Sequence, residues 1–323
     1  MHKRIVNQCT IRLSLSPKGP IMIKSGKEGA DPTKPDMEFV ETYHAGGYTI
    51  YLPGSSLKGA LRAHTERIVR TVGSDRWPGN ADAEGAQPLW ASNPLEKESY
   101  KYLEKETDPQ KIYRLSSFTD QLFGSVMIAS RFRVEDAYPM DADKVKTEER
   151  NGVAIDRVFG SVAVGPFNYQ VCTAGTFETK IHLKNFSLEQ LGLIGLVLRD
   201  LAEGWFGIGF AKSRGMGLVS VDLLGATISY PSCLLKDGNI SALIGSAKQW
   251  EPNQLAGAGE FLEAAERQKY GFPADDVVTT EAVAQEMAYG VGVQMIWEAD
   301  EVEQLFRLAA RKWRDCMIAE VSV

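Results

Sequence analysis

Three carboxylates in a proline- and glycine-rich stretch could take part in phosphodiester chemistry. They are Asp31, Asp36 and Glu38, within residues 16–47. A carboxylate on an exposed loop can hold a hydrated divalent cation beside a phosphodiester, although most loop carboxylates do nothing of the sort. His44 and His64 are the other candidates for general-base chemistry near these motifs, whereas His182 lies in a strand pattern and is expected to be structural.

A glycine-rich stretch from Gly204 to Gly217 could bind phosphate. Glycine lets the backbone approach an anion closely, and nearby basic side chains add positive charge. The candidate contacts are Gly209, Lys212, Ser213, Arg214 and Gly215. The spacing differs from that of a nucleotide-binding P-loop, and a position after a helix and before a strand is the wrong order for a dinucleotide site. Taken alone, the stretch fits a tight helix-to-strand connection equally well.

A second phosphate-suited motif is Leu52–Gly59, followed by Arg62. Ser55 or Ser56 is the predicted N-cap of a helix, and free backbone N–H groups at a helix N-terminus favour anions. Lys58 and Arg62 are one turn apart on one face, so a phosphate backbone could lie across that face. The candidate contacts are Ser55, Ser56, Lys58 and Arg62. A well-capped surface helix without a ligand would have the same pattern.

The elements that position these residues follow the order β-α-β-β-α-β. The pattern predicts strands over 5–15, 126–134, 177–181 and 218–224, with helices over about 55–72 and from Ser187 to Leu201. Two long insertions interrupt the order, at 73–115 with one or two small helices and at about 139–165. This indicates an α+β, ferredoxin-like or RRM-like core in residues 1–230. Residues 231–323 are predicted to be a helical C-terminal extension packed on that core, including an amphipathic helix over Val302–Met317.

Composition limits the class of protein. The chain has 323 residues and a net charge of −6, but residues 1–72 hold 11 basic and 6 acidic residues, a net charge of +5. Residues 231–323 hold 8 basic and 15 acidic residues, a net charge of −7, so a basic patch for RNA remains available.

Four scattered cysteines without a CxxC pair indicate no zinc site. Because neither a signal peptide nor a membrane span is visible, we expect a cytoplasmic protein with no membrane partner.

An ordered set of motifs resembles the RAMP family, the backbone subunits of type III CRISPR effector complexes of the III-A or III-D kind. The matching runs cover about residues 4–225 and are Tyr51–Arg62, Leu122–Gly124, Arg133–Ala137, Asn151–Arg157 and Gly207–Gly217. Any one of them is a weak signal, but together and in this order they are specific. Residues after about 231 match nothing in the family.

The resemblance implies a subunit that polymerises along a guide crRNA and cleaves a complementary target RNA. The excursion at about 139–165 resembles the thumb hairpin that displaces base pairs of the guide–target duplex, and Arg157 joins the expected RNA contacts. Asp36 best matches the family's catalytic loop aspartate and would hold Mg²⁺ or Mn²⁺, with Asp31 second. The expected partners are copies or paralogues of the chain, the large polymerase/cyclase-type subunit and the small subunits.

Three other functions are consistent with the sequence. The first is a binding-only backbone subunit in which Asp36 is inert. The second is a metal-independent, histidine-dependent endoribonuclease that processes guide RNA, although such enzymes end soon after their glycine-rich loop and here about a hundred residues follow it. The third is a small-molecule enzyme of ferredoxin-like fold, which no cofactor motif supports.

Overall fold

A computed structural model describes residues 4–26, 35–77, 79, 89–243 and 248–321 of the chain. The helices are α1 (Gly54–Val72), α2 (Pro109–Leu115), α3 (Phe118–Phe123), α4 (Leu188–Ala202), α5 (Ala264–Tyr270) and α6 (Val302–Val321). The strands up to the second long insertion are β1 (Gln8–Pro17), β2 (Glu41–His44), β3 (Gly47–Ile50), β4 (Phe132–Val134), β5 (Tyr138–Pro139), β6 (Lys146–Ile155) and β7 (Val162–Ala174). The later strands are β8 (Phe177–Lys184), β9 (Val219–Tyr230), β10 (Cys233–Lys236), β11 (Asn239–Ala242), β12 (Gln249–Trp250), β13 (Gln254–Ala256), β14 (Val277–Thr279), β15 (Gln285–Glu286) and β16 (Val293–Glu298).

The central sheet confirms the predicted ferredoxin-like core. Its strands lie in the order β15-β16-β9-β1-β8-β4, every adjacent pair is antiparallel, and β5 also pairs with β8. The core elements follow one another along the chain as β1, α1, β4, β8, α4 and β9, which is the β-α-β-β-α-β order expected from the sequence. The predicted strand over 126–134 is shorter, since only Phe132–Val134 pairs with β8.

One hydrophobic core joins the sheet to the helices. Alternation along β1 buries Ile11, Leu13 and Leu15 on the same face. Helix α4 packs closely against α6 because Gly192 and Gly195 have no side chains at the crossing. A Cβ atom at Gly192 would lie 2.4 Å from the carbonyl oxygen of Ala309 on α6.

The region after Tyr230 continues the same sheet and core. Its last helix, α6, confirms the predicted amphipathic helix, and Trp313 on that helix is fully buried. The residues before α6 form mostly short strands and not the helices expected from composition. Strand β16 pairs with β9 along its whole length, from Val293 opposite Tyr230 to Glu298 opposite Gly225. Such pairing depends on a distant strand, which a local helical propensity cannot reveal.

The predicted thumb insertion is a long hairpin made of β6 and β7. It spans 146–174, so it begins and ends later than the predicted 139–165. Almost all of β6 is exposed, and the turn holds four exposed side chains, those of Arg157, Val158, Phe159 and Ser161. Asp156 stabilises this turn by accepting hydrogen bonds from the backbone N–H groups of Val158 and Phe159, at 2.7 and 2.8 Å. None of the described helices is both long and apolar enough to span a bilayer.

Candidate nucleic-acid interface

The carboxylate of Asp36 lies beside the middle of β7, where the β6–β7 hairpin changes from buried at 171–172 to exposed at 162–166, and we call this point the base of the exposed hairpin. Its Oδ2 atom accepts a hydrogen bond from the backbone N–H of Asn168 on β7, at 2.8 Å. Backbone hydrogen bonds from Met37 to Asn168 and from Gln170 to Met37 fix the loop to the same strand. The carboxylate is exposed, and Oδ1 has no hydrogen-bond partner among the described residues. Asp31, the other candidate, lies outside the described residues.

The glycine-rich stretch folds back on the chain that follows β1. The N–H of Phe210 donates to the carbonyl oxygen of Met22 at 2.7 Å, and the N–H of Gly217 donates to that of Pro20 at 2.9 Å. Gly209 has a φ of +76°, and a Cβ there would lie 2.2 Å from the Met22 oxygen. Glycine is therefore required at this position by both the left-handed conformation and the close approach.

Positive charge is concentrated on the outer side of this loop. Lys212, Ser213 and Arg214 form an exposed single turn of 3-10 helix, flanked by left-handed residues at Ala211 and Gly215. The guanidinium of Arg214 lies 5.1 Å from the ring centre of Phe210, and the ammonium of Lys24 lies 5.3 Å from the same ring. Both cations are thus held next to one aromatic ring, an arrangement suited to a phosphate backbone and a base.

A small hydrophobic cluster connects the Asp36 loop with the glycine-rich loop. Met22, Val171 and Met216 are buried in it, and Met37 and Phe210 pack against it. Met37 follows Asp36 directly, and Phe210 lies beside the basic turn. The structure therefore brings together, at the base of one hairpin, two motifs that are about 175 residues apart in the chain.

The N-terminus of α1 differs from the prediction in its cap. Pro53 occupies the N-cap position, so neither Ser55 nor Ser56 caps the helix. The capping function is supplied by Asp136, whose Oδ1 accepts a hydrogen bond from the N–H of Gly54 at 2.7 Å. Ser55 is exposed and Ser56 is partly exposed, so both hydroxyls can still reach a ligand.

A basic groove of about 520 Å³ opens beside this helix terminus, and we call it the helix groove. Its lining includes Ser55, Lys58, Arg133 and Lys184. Lys58 donates to the hydroxyl of Ser130 at 2.7 Å, and burial together with the charge of Arg62 lowers its pKa. Sequence reasoning missed Arg133 and Lys184 because it could not place β4 beside β8. Arg133 lies in one of the runs that resemble the RAMP family, whereas the only signal for Lys184 was a basic residue in a strand pattern.

Arg62 has a structural environment that the sequence did not indicate. Its guanidinium donates to Glu66 at 2.8 Å, to the fully buried Asp120 at 2.9 Å and to the carbonyl oxygen of Gly124 at 2.8 Å. Burial by itself would lower the pKa of Arg62, but the hydrogen bond to Glu66 and the charges of Asp120 and Glu66 outweigh it and raise the pKa. Three of its five N–H donors are therefore occupied, and the side chain is only 17% exposed. This arrangement gives no support to the predicted phosphate contact.

The three histidines in the described part of the chain are not placed together as a catalytic group. His182 is hydrogen-bonded through both ring nitrogens, to Thr10 at 3.1 Å and to Glu135 at 2.8 Å, as expected for a structural residue. His64 is buried and pairs with Asp200 at 2.7 Å. His44 is stacked on Tyr138 with ring centres 3.8 Å apart.

The described residues contain no group of three or more His, Cys, Asp or Glu side chains suited to a metal ion. A cation at Asp36 would therefore have one protein carboxylate and would take its other ligands from water and RNA phosphates. Mg²⁺ accepts such a partial protein site, because it usually keeps several waters and binds one or two carboxylates with substrate phosphates. The exposed position of Asp36 fits an ion of this kind, and it does not fit a preformed cage.

The chain matches a known protein family. A family model described as the RAMP superfamily matches residues 14–220, which is well over half of the chain. The matched range includes the Asp36 loop, the N-terminus of α1, the β6–β7 hairpin and the glycine-rich loop. No curated protein is significantly similar to the chain.

Proposed function

The chain belongs to the RAMP superfamily, whose members include CRISPR-associated RNA-binding subunits, and we propose that it is a guide-RNA-binding backbone subunit of a type III effector complex that cleaves the bound target. In this proposal its partners are the guide crRNA, a complementary target RNA, further backbone subunits, the large polymerase/cyclase-type subunit and the small subunits. The β6–β7 hairpin acts as the thumb. The complex belongs to subtype III-A or III-D.

The observation that supports cleavage is the position of Asp36 at the base of the thumb. A target strand displaced by the exposed Phe159 and Val158 at the tip would pass along the hairpin towards its base. There the carboxylate is oriented by the N–H of Asn168, and one oxygen remains available. A carboxylate fixed beside a distorted phosphodiester is what a position-specific ribonuclease requires.

RNA binding would use two basic surfaces. Lys24 and Arg214 beside Phe210 would bind backbone phosphates at the glycine-rich loop, together with Lys212 and the Ser213 hydroxyl. The helix groove, with Ser55 and Lys58, would bind phosphates at α1, together with the neighbouring Ser56. Arg157 at the exposed thumb turn would contact the strand that the thumb separates.

The proposed reaction is an internal transesterification. The ribose 2′-hydroxyl loses its proton to water as its oxygen forms a bond to the adjacent phosphorus, and the bond from phosphorus to the 5′-oxygen of the next nucleotide breaks. The leaving 5′-oxygen takes a proton from water, so the products are a 2′,3′-cyclic phosphate and a 5′-hydroxyl. The thumb would hold the strand so that the 2′-oxygen, the phosphorus and the leaving oxygen are in line. Asp36 would orient the reacting phosphate through bound water or a cation, and a divalent cation bound there would neutralise the charge that develops on the phosphate oxygens.

The test measures target cleavage by the assembled complex with Asp36→Ala, Asp36→Asn and Asp31→Ala subunits. We expect both Asp36 variants to lower the cleavage rate about 100-fold or more in Mg²⁺ or Mn²⁺ while RNA affinity is retained, and we expect chelation to stop the wild-type complex. Asp143→Asn, which changes an exposed carboxylate before β6, is the matched control and should cleave normally. Unchanged cleavage in both Asp36 variants and in Asp31→Ala would remove the nuclease assignment.

A binding-only backbone subunit is the second candidate. It is favoured by the hydrogen bond from Asn168 to Asp36, since this contact alone could explain an aspartate at the base of the hairpin. In that case Asp36→Asn would loosen the loop and lower thermal stability without changing the cleavage rate of the complex. The two candidates therefore differ in which measurement the same variant changes.

A further inference from the structure

Strand β7 changes its neighbour on one edge beside the Asp36 loop. Nearer the exposed part of the hairpin, the N–H of Met37 donates to the carbonyl oxygen of Asn168 at 3.2 Å, and the N–H of Gln170 donates to that of Met37 at 3.0 Å, in a parallel arrangement. Two residues further along β7 the neighbour is Ile21, which exchanges both backbone hydrogen bonds with Cys172, at 2.9 and 2.8 Å. The Asp36 loop therefore leaves β7 between these two points.

The side chain of Gln170 lies at the point where the loop departs. In an uninterrupted parallel ladder, the N–H of Phe39 would donate to the backbone oxygen of Gln170, and the N–H of Cys172 would donate to the oxygen of Phe39. Because Cys172 donates to Ile21 instead, the ladder stops, and the Oε1 atom of Gln170 accepts the N–H of Phe39 at 3.1 Å. Phe39 is 1% exposed, so its N–H needs a partner within the protein. The Gln170 amide supplies that partner.

The other edge of the loop is held by the segment that follows β1. The N–H of Val40 donates to the carbonyl oxygen of Ile23 at 2.9 Å, and the N–H of Ser25 donates to that of Glu38 at 3.1 Å. The glycine-rich loop is hydrogen-bonded to this segment as well. The Asp36 loop thus lies between the thumb on one side and the support of the glycine-rich loop on the other.

We propose that Gln170 is a positioning residue for Asp36 in target cleavage. This inference rests on the proposed nuclease function and extends it to a residue that acts through the carboxylate. Asp36 is oriented by the backbone N–H of Asn168, so the direction of its carboxylate depends on where the loop lies along β7. Gln170 fixes that place by holding Phe39, three residues after Asp36.

The contact of Gln170 differs from the other contacts of the loop in what a substitution can remove. Met37 and Asp36 are bonded to backbone groups of β7, and these groups remain when a side chain of β7 is replaced. Gln170 holds the loop with its own side chain. Its replacement therefore releases the loop at Phe39 while the strand and the carboxylate are both retained.

The test measures target cleavage by the assembled complex at saturating target. We expect Gln170→Ala and Gln170→Asn, whose oxygen is one methylene short, to lower the maximal rate about 10- to 100-fold while affinity for target RNA is retained. A misplacement of about 1 Å is enough for such a loss. Gln170→Glu keeps an acceptor oxygen at the same reach and should restore most of the rate. Gln254→Ala is the matched control, because the Gln254 oxygen also accepts a backbone N–H, that of Glu251 at 2.9 Å, but on β13, and this variant should cleave normally.

A double-mutant cycle separates positioning from a general structural role. If Gln170 acts through Asp36, Gln170→Ala slows the wild-type complex but does not slow the residual reaction of Asp36→Asn further. An equal fold-loss in both backgrounds, or a loss of RNA affinity that accounts for the slower cleavage, would refute positioning. Wild-type rates in Gln170→Ala and Gln170→Asn beside an impaired Asp36→Asn would also refute it and leave the nuclease function standing. Unchanged cleavage in Asp36→Asn would instead remove Asp36 from the proposed reaction, and the role of Gln170 with it.

Discussion

Replacing Arg62 with alanine distinguishes a structural arginine from a phosphate contact. The guanidinium of Arg62 joins Glu66 on its own helix to Asp120 on α3 and to the carbonyl oxygen of Gly124. Glu66 in turn pairs with Arg70 at 3.2 Å. Removal of Arg62 leaves Asp120 buried without its only cationic partner among the described residues.

The expected cost follows from the burial of these groups. Deletion of one partner of a buried ion pair destabilises a protein by about 3–5 kcal/mol, because the remaining charge is not solvated. Asp120 would retain hydrogen bonds from the hydroxyls of Ser92 and Ser117, at 2.6 and 2.8 Å. These bonds reduce the penalty, so we expect about 3 kcal/mol for Arg62→Ala. The matched control is Arg67→Ala on the exposed face of α1, which should change stability by less than about 0.5 kcal/mol.

Urea unfolding of the full chain gives the stability difference, and RNA binding at several salt concentrations gives the functional one. Arg62→Ala should lower the unfolding free energy while the folded variant keeps the wild-type salt dependence of RNA binding. A double-mutant cycle with Asp120→Asn should give a coupling of about 1–3 kcal/mol. A structural role for Arg62 is refuted if the unfolding free energy stays within about 1 kcal/mol of wild type and the salt dependence of RNA binding decreases, since that result identifies a phosphate contact.

Two further predictions concern a loop and a buried acid. Gly209→Ala should lower the unfolding free energy by about 2–4 kcal/mol, because the new Cβ would clash with the Met22 oxygen and alanine disfavours a left-handed φ. Gly215 has a similar φ but open space around it, so Gly215→Ala should cost only about 1–2 kcal/mol. Equal losses in the two variants would contradict the close approach at Gly209. Burial raises the pKa of Asp276 to about 8, so its protonated form stabilises the fold fully below about pH 4, and this contribution is lost as pH rises through 8. In urea unfolding from pH 5 to 8, the unfolding free energy of Asp276→Asn should therefore rise relative to that of wild type by up to about 1.4 kcal/mol per pH unit. Parallel pH profiles of the two proteins would contradict a raised pKa at Asp276.

The parts of the fold that could be predicted from sequence are those with long local patterns. Alternation along β1 and the 3.6-residue periodicity of α1 and α4 identify these elements because each buries one face against the core. Strand β16 has only six residues and is fixed by pairing with β9, which is more than sixty residues earlier in the chain. No local pattern identifies β9 as its hydrogen-bonded partner, and the composition of residues 231–323 favoured helix instead.

The same distinction applies to the candidate site. The glycine-rich loop and the start of α1 could be found because glycine, serine and basic residues are adjacent in the sequence there. The environment of Arg62 could not be predicted, since its partner Asp120 is 58 residues further along the chain. Arg133 becomes part of an interface only through the register of β4 with β8. The assignment of Asp36 and Asp31 to catalysis stays a prediction.

The pairing of β16 with β9 has a consequence for how the chain can assemble. In a four-stranded ferredoxin-like sheet, the last strand is an edge whose free N–H and C=O groups can accept a strand from another chain. Here that edge is filled from within the same polypeptide, and the new outer strand β15 has only two residues, one of them the charged Glu286. Sheet-to-sheet continuation between neighbouring copies is therefore blocked on this side. Head-to-tail continuation of the sheet would need this edge in every copy, so a row of such subunits would have to be joined by other surfaces.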